Sequence, residues 1–418
     1  MKRRAFLKKG SMLAAGLASS PAAYSFLKAG CLLSRKGLAP SSTGKEVPVL
    51  MLEGPARRRG QIHGETLRPK VKEVVAKWKE FLNATRHVHP DQYIDKFLQE
   101  TNFLPAIKKW TPDLLEETEG IGEGSGVDSK TIYAFQLMDE EWLFGRKTVL
   151  EGAKLGGPLC SALGAYNQEG YPAIQAQNMD IPSYSDGFQA LLRIKHQGSS
   201  LESLVFTYAG LIVLNGLNNV PIGLCCNTLD QLDYSTDGLP VAFFNRGVLG
   251  QKTLEGAVEF VHKVRHGSGQ NYIIGSKEKV FDFECSANKV SAFVPVEGIP
   301  RVYHTNHPLV NDDQGIYREI LKKRLTEKKP TGPSNSEVRF SSLEKRLEDA
   351  SKPVTVETAK ETLSSHDDRQ NPVCRHRRPD GGGMTIGCSI MVLSSSPELH
   401  FAPGPPCETE FRTYKLGS

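Results

Sequence analysis

No stretch of this 418-residue chain is apolar for long enough to cross a bilayer as a helix. The mildly apolar run from Ser11 to Phe26 is diluted by glycine, alanine and serine, which suits a targeting segment and excludes a stable anchor. A dominant charge sign is also missing. The 52 lysines and arginines face 47 acidic residues, and Lys2, Arg3, Arg4, Lys8 and Lys9 supply part of the +5 net charge, so nothing marks a nucleic-acid surface. Eight cysteines are present without a metal spacing: Cys225 and Cys226 are adjacent, and Cys31, Cys160, Cys285, Cys374, Cys388 and Cys407 are scattered. A chain of this length buries a sufficient core without disulfides, so no obligatory framework is expected, although a pair or two closing in an oxidising compartment stays open. Gly381-Gly382-Gly383 lacks the context of a phosphate loop, and the chain has no internal repeat. Neither a metal nor a cofactor is expected.

What is present begins with the leader. Lys2-Arg3-Arg4-Ala5-Phe6-Leu7-Lys8 followed by the weakly apolar run has the form of a twin-arginine export signal over residues 1–31, which predicts a periplasmic or extracellular protein. Ala22-Ala23 suits a signal peptidase. Leu27-Lys28-Ala29-Gly30-Cys31 is a poor lipoprotein box because Lys28 stands where an apolar residue belongs, so lipidation at Cys31 is the minority expectation.

Residues 32–65, rich in Pro, Gly, Ser and Arg, read as a mobile lead-in with a short strand near Val47 to Leu52. From Arg68 the period becomes helical: Val71, Val74, Val75, Trp78 and Phe81-Leu82 recur at three- and four-residue steps. Helical patterning continues through Tyr93 to Leu98, Trp110 to Glu117 and Ser129 to Phe144, with Gly120 to Gly126 as a break. Strands then follow at Phe188 to Lys195, Leu201 to Ala209, Leu211 to Leu217 and Pro221 to Leu229. Thr253 reads as the N-cap of a helix ended by Gly267. Further strands are expected at Asn271 to Ile274, Val280 to Cys285, Val290 to Val294 and Arg301 to His304. Helical pieces (Tyr317 to Leu325, Leu343 to Leu347, Val356 to Leu363) flank a basic linker, Lys328 to Pro333, and the chain closes in strands from Gly383. This order predicts an α+β chain with sheets covered by helices, not a doubly wound parallel sheet.

The chemistry concentrates at one hairpin. Ser161 to Tyr166 and Tyr171 to Gln177 flank the turn-forming Asn167-Gln168-Glu169-Gly170, so the fold sets Cys160 beside Asn178 and Asp180. A thiol beside an amide and a carboxylate is the raw material of an activated nucleophile. Were the Leu159–Cys160 bond cut, Cys160 would also carry an α-amine, whose pKa near 8 lets it take the thiol's proton without a histidine. A carboxylate at Asp180 would orient that amine and hold the ammonium.

Pro158-Leu159-Cys160-Ser161, Gln177-Asn178-Met179-Asp180 and His304-Thr305-Asn306-His307 together resemble the acyl-CoA:6-aminopenicillanic acid acyltransferase family, also called the isopenicillin N acyltransferase or C45 peptidase family. The resemblance implies an N-terminal nucleophile (Ntn) hydrolase with a four-layer αββα sandwich. It implies a precursor cut before Cys160, giving a mainly helical light chain over 32–159 and a catalytic heavy chain over 160–418. Cys160 and Asp180 are then catalytic, Asn306 supplies the oxyanion donor, and Arg375 of Cys374-Arg375 matches a substrate-binding element that takes a carboxylate. Asn178 either contacts substrate or braces the strand end, and His304 and His307 are assigned to the core or the substrate pocket. A zinc reading of His304 and His307 is disfavoured, because His-x-x-His on a strand points its rings to opposite faces. The expected activity is acyl transfer or hydrolysis at an amide through a Cys160 thioester. Its partners are a small acyl-amide or acyl-CoA-like substrate, and the light and heavy chains for each other. Three glycines stand where the penicillin-forming enzyme has a second arginine, which argues against β-lactam acyl transfer. A bile-salt or penicillin V amidase-like hydrolase, and a non-catalytic periplasmic binding protein on the same scaffold, are the alternatives.

Overall fold

The computed structural model describes residues 46–148, 159–168, 170–294, 299–324, 332–378 and 382–416. The export signal, Cys31 and most of the basic linker therefore lie outside the described residues. The described residues open with strand β1 (Val49–Leu52) and seven helices: α1 (Ala56–Thr66), α2 (Arg68–Arg86), α3 (Pro90–Gln99), α4 (Leu104–Trp110), α5 (Pro112–Ser125), α6 (Ser129–Gln136) and α7 (Met138–Thr148). Six strands follow: β2 (Ser161–Ala165), β3 (Ala173–Pro182), β4 (Gln189–Lys195), β5 (Glu202–Tyr208), β6 (Asn215–Asn218) and β7 (Gly223–Thr228). After α8 (Val241–Leu249) and α9 (Leu254–Lys263) come β8 (Gln270–Gly275), β9 (Val280–Cys285), β10 (Val290–Phe293) and β11 (Arg301–His304). Helices α10 (Gly315–Arg324), α11 (Asn335–Leu347) and α12 (Val356–Leu363) precede β12 (Gly383–Leu393), β13 (Glu398–Ala402) and β14 (Arg412–Lys415).

The strands form an eight-stranded sheet ordered β1-β4-β5-β6-β7-β8-β9-β10 and a six-stranded sheet ordered β11-β2-β3-β12-β13-β14. Among the described strands, only β1 joins in parallel, against β4. Alternation along β2 and β3 explains the layering. Leu163, Ala165, Ile174 and Ala176 turn to a core shared with Leu343, Leu347, Ala359 and Leu363 of α11 and α12. Ala162, Ala173 and Met179 turn the other way, into the core between the sheets. With α8 and α9 packed on the larger sheet, the order is helix, sheet, sheet, helix, the expected αββα sandwich.

Several sequence expectations need correction. The lead-in assigned to 32–65 contains α1, and the assigned break at Gly120 to Gly126 is the interior of α5, which stops only at Gly126 (φ +70°). The two helices cross on Gly60, Gly64, Gly120 and Gly124. A Cβ at Gly60 would overlap the Glu117 carbonyl oxygen, and one at Gly120 would overlap that of Arg57. These glycines serve close backbone approach, not chain reversal. Helix α8 has no counterpart in the sequence reading. The strand expected at Leu211 to Leu217 begins only at Asn215. Thr253 does cap α9, accepting the Gly256 N–H, but the helix stops at Lys263, short of Gly267.

The helical N-terminal segment is tied to the sandwich by a buried charge cluster. Glu117 of α5 takes 2.9 and 2.7 Å ion pairs from Arg59 of α1 and Arg246 of α8, and all three side chains are buried. Burial opposes the Glu117 charge, yet the two guanidiniums hold its carboxyl down at about 2. Gln136 adds hydrogen bonds to the Gly210 carbonyl and the Ile212 N–H.

Candidate active site

Strands β2 and β3 pair antiparallel with Ser161 opposite Asn178, so Cys160, one residue before β2, meets the far half of β3. Its sulfur accepts the Asp180 backbone N–H at 3.4 Å and lies 3.7 Å from Met179 Sδ. The side chain is 2% exposed and borders a cavity of about 30 Å³, room for a water or two, lined also by Asp139, Trp142, Met179, Leu211 and Thr228. Burial, then the Asp180 carboxylate, push the thiol well above its ordinary pKa.

Alternation places the Asp180 side chain on the opposite face of β3 from Met179. There Thr385 of β12, its register partner, donates a 2.6 Å hydrogen bond to Oδ1. Oδ2 is buried without a hydrogen bond. The Thr385 hydroxyl also accepts the Arg375 N–H at 3.0 Å, and the Arg375 carbonyl accepts the Thr385 N–H, which fixes Arg375 on the same side. Burial raises the Asp180 carboxyl to about 6 against the downward pull of Arg375, the Thr385 hydroxyl and Arg339. Nε and Nη1 of Arg375 are buried and lack hydrogen bonds.

Asn306 follows β11 by two residues. Its Nδ2 donates to the carbonyl of Thr228, a cavity residue, at 3.0 Å, and its second amide hydrogen is left for another acceptor. Its Oδ1 accepts from Arg339 Nη2 at 2.9 Å, which orients the amide. Arg339 Nη1 also donates to the Cys160 carbonyl at 2.6 Å and to Ser161 Oγ at 2.9 Å, while Nε reaches Asn335 Oδ1 at 2.8 Å. This fully buried arginine bridges the Cys160 and Asn306 segments. The sequence reading missed it. Arg339 lies one and two turns before the buried Leu343 and Leu347 of α11, so a cation on the apolar stripe was the available signal.

The structure therefore gathers Cys160, Asp180, Asn306 and Arg375 around the β2/β3 end. It places two other expected residues elsewhere. Asn178 donates to the Leu363 and Val373 carbonyls at 2.8 and 3.0 Å and braces β3 against the α12 segment. His304 is buried, with Nε2 2.9 Å from Glu284 Oε1 and Nδ1 2.9 Å from the Thr305 carbonyl. Burial pulls its pKa down, but the bond to Glu284 and the nearby Asp282 lift it above the usual value. His307 meets Ser336 Oγ at 2.8 Å. A polar ladder, also absent from the sequence reading, runs between the sheets from Ser389 through Asn215, Gln177, Asn227 and Asn271 to Asp282. Such a buried network, which leaves Asp282 Oδ2 at its end without a hydrogen bond, specifies one sheet-on-sheet register.

Among solved structures, the chain is similar to a Caenorhabditis elegans N-acylethanolamine-hydrolyzing acid amidase ortholog at 18% identity. That match covers 62% of this chain and all of the other, with a TM-score of 0.40. No curated protein sequence matches the chain. The family model described as acyl-coenzyme A:6-aminopenicillanic acid acyl-transferase matches residues 167–396, a span that includes Asp180, Asn306, Arg339 and Arg375 and begins beyond Cys160. Because that match takes in more than half of the 418 residues, the chain belongs to the acyl-coenzyme A:6-aminopenicillanic acid acyl-transferase family.

Proposed function

We propose that this protein is a self-processing amide hydrolase or acyltransferase whose nucleophile is Cys160, freed as an N-terminal residue by cleavage of the Leu159–Cys160 bond. The observation that carries the reading is the position of Cys160. It is the last residue before the central strand β2, on a small cavity, with its sulfur against the Asp180 backbone. In the intact chain the buried thiol is held neutral. Cleavage adds an amine to the same residue. That amine takes the thiol proton as the sulfur attacks the acyl carbonyl, and the resulting ammonium is matched by the Asp180 carboxylate. A backbone amine lies in the plane of the sheet, so a carboxylate on the far face serves it although the sulfur points into the cleft.

The free amide hydrogen of Asn306 stabilises the oxyanion, and Arg339 orients that amide. Collapse of the tetrahedral intermediate breaks the amide C–N bond, the Cys160 ammonium returns its proton to the departing amine, and the thioester then passes its acyl group to water or to an amine, regenerating the thiol. Trp142, Leu211, Val213 and Val241 give the cavity an apolar lining that matches an acyl chain in chemistry, and at about 30 Å³ it has to widen before a chain enters. The light chain stays bound after cleavage through Glu117–Arg246, the parallel β1–β4 pair and the Thr228 hydroxyl bond to Asp139. The leader is read as directing the protein out of the cytoplasm by the twin-arginine route.

Denaturing gel electrophoresis and N-terminal sequencing of active protein test this. The expected result is two chains, one beginning Cys160-Ser161-Ala162, with a thiol-directed acyl probe on that cysteine. Full activity in a single uncut chain overturns it. Fractionation of the producing cells tests export.

A further inference from the structure

Away from the Cys160 cleft, four side chains that follow no metal pattern in linear order converge in space. His366 follows α12, Cys374 and His376 lie on the segment leading to β12, and Cys407 sits between β13 and β14. One ligating atom from each lies within 4.8 Å of all the others. Cys374 Sγ is 3.4 Å from Cys407 Sγ, His366 Nε2 is 3.0 Å from His376 Nε2, and His376 Nε2 is 3.3 Å from Cys407 Sγ.

Ordinary hydrogen bonding does not account for this cluster. His376 Nε2 carries either one proton or one lone pair, so it satisfies only one of its two close neighbours. Four ligand atoms within 4.8 Å of one another are satisfied together by a cation placed among them. A tetrahedral zinc with Zn–N near 2.0–2.1 Å and Zn–S near 2.3 Å separates its ligand atoms by roughly 3.3–3.8 Å, a spacing that falls inside the 3.0–4.8 Å over which these four atoms lie. An outer carboxylate is also in place: Glu408 Oε1 lies 3.5 Å from Nδ1 of His376, the position that fixes a ligating histidine's tautomer.

We propose that His366, Cys374, His376 and Cys407 form a Cys2His2 site for a divalent zinc ion. On binding, each thiol releases its proton to solvent, so two thiolates and two neutral imidazoles surround Zn²⁺ with no net charge. All four positions are filled by protein, which makes the site structural and leaves no place for substrate. It clips the α12 end and the β13–β14 connection to the segment before β12. Arg375 lies between two of the ligands, so the ion also fixes the arginine that faces Asp180. That last consequence rests on the proposed function, whereas the site itself does not.

Elemental analysis of the full-length protein, purified without chelator, tests the proposal. One zinc per chain is expected, with replacement by Co²⁺ giving thiolate charge-transfer and tetrahedral d–d absorption. Cys407→Ser should lose both, and Cys160→Ala should retain both, so failure of the nucleophile assignment is distinguishable from failure of this one. Should Cys407→Ser fail to fold, stripping the wild-type protein and titrating Co²⁺ back gives the same readout. Absence of stoichiometric metal after zinc reconstitution overturns the proposal. So does a Cys374–Cys407 disulfide in the native protein, seen as two missing thiols and a mass short by two hydrogens.

Discussion

Arg339 Nη1 donates a 2.6 Å hydrogen bond to the carbonyl of Cys160, while Nη2 of the same guanidinium holds Asn306 Oδ1 at 2.9 Å. One planar cation thus sets the distance between the candidate nucleophile and the candidate oxyanion donor. Lysine offers a single point of donation on a flexible stem and cannot reproduce a guanidinium shared by four acceptors. Arg339→Lys is expected to lower kcat by about 10²-fold, comparable to loss of an oxyanion-hole donor, with KM unchanged. Equal loss in kcat and kcat/KM in steady-state assays, with the fold intact by circular dichroism, is the expected signature. An unchanged kcat would remove Arg339 from the site.

The Asp180 carboxyl, raised to about 6 mainly by burial, predicts an acid limb in kcat/KM near pH 6 if its ionised form is required. Arg375 is the leading group that holds this value down, so Arg375→Met should move the limb to higher pH. For stability the sign is the reverse of an ordinary paired carboxylate. The folded protein binds this proton more tightly than the unfolded chain, so the residue withdraws stability as pH rises from about 4 to 6. A pH–rate profile of Arg375→Met that overlays the wild-type profile would refute the coupling.

The hairpin was legible because local chemistry determines it: β-forming residues around Asn167-Gln168-Glu169-Gly170 specify both the turn and the register that brings Cys160 to Asp180. The succession of strands and helices along the chain, α1 and α8 apart, followed from hydrophobic period, residue type and the turn residues at the boundaries, whereas the pairing of strands within each sheet did not. Long-range placement was not legible. Nothing local in Arg339 or Thr385 announces that it will meet Cys160 or Asp180, because those meetings depend on how α11 and β12 dock. Likewise Cys407 reaches Cys374 only through the β13–β14 connection. The glycines of α1 and α5 misled for a different reason. The same residue type that breaks an isolated helix permits two helices to touch, and composition does not separate the two uses.

That contact supplies a stability test. A methyl at Gly120 would overlap the Arg57 carbonyl oxygen, and backbone atoms cannot rotate aside as a side-chain tip does. Although alanine favours an isolated helix by about 1 kcal/mol over glycine, overpacking of this kind costs typically 1–3 kcal/mol or more. Gly120→Ala should therefore lower the urea midpoint despite its better helix propensity. Alanine at the open Gly198 turn (φ +67°) meets no atom within 4 Å and should show only the smaller backbone penalty. A Gly120→Ala protein as stable as wild type would mean that α1 does not seat on α5.

Glu117 gives the corresponding test for the joint between the helical segment and the sandwich. Its carboxyl stands at about 2 in the folded protein, below the 4.5 of an unperturbed glutamate, because Arg246 and Arg59 outweigh its burial. A depressed carboxylate contributes stability that is present above about pH 4.5 and is lost as pH falls toward 2, here of order 3 kcal/mol. Replacing the charge leaves the buried Arg246 without a counter-ion and Arg59 with only the exposed Asp113 at 3.7 Å, and breaking a buried pair in this way costs roughly 3–5 kcal/mol. Glu117→Gln is thus expected to destabilise the protein at pH 7 and to flatten the acid limb of its stability curve. If the chain is processed before Cys160, Glu117 and Arg246 lie on different fragments. The variant should then shed its light chain on gel filtration under conditions where the wild-type fragments co-elute. Co-elution of the variant's fragments with unchanged denaturant sensitivity would show that hydrogen bonds such as Gln136 to Gly210 hold the joint without the ion cluster.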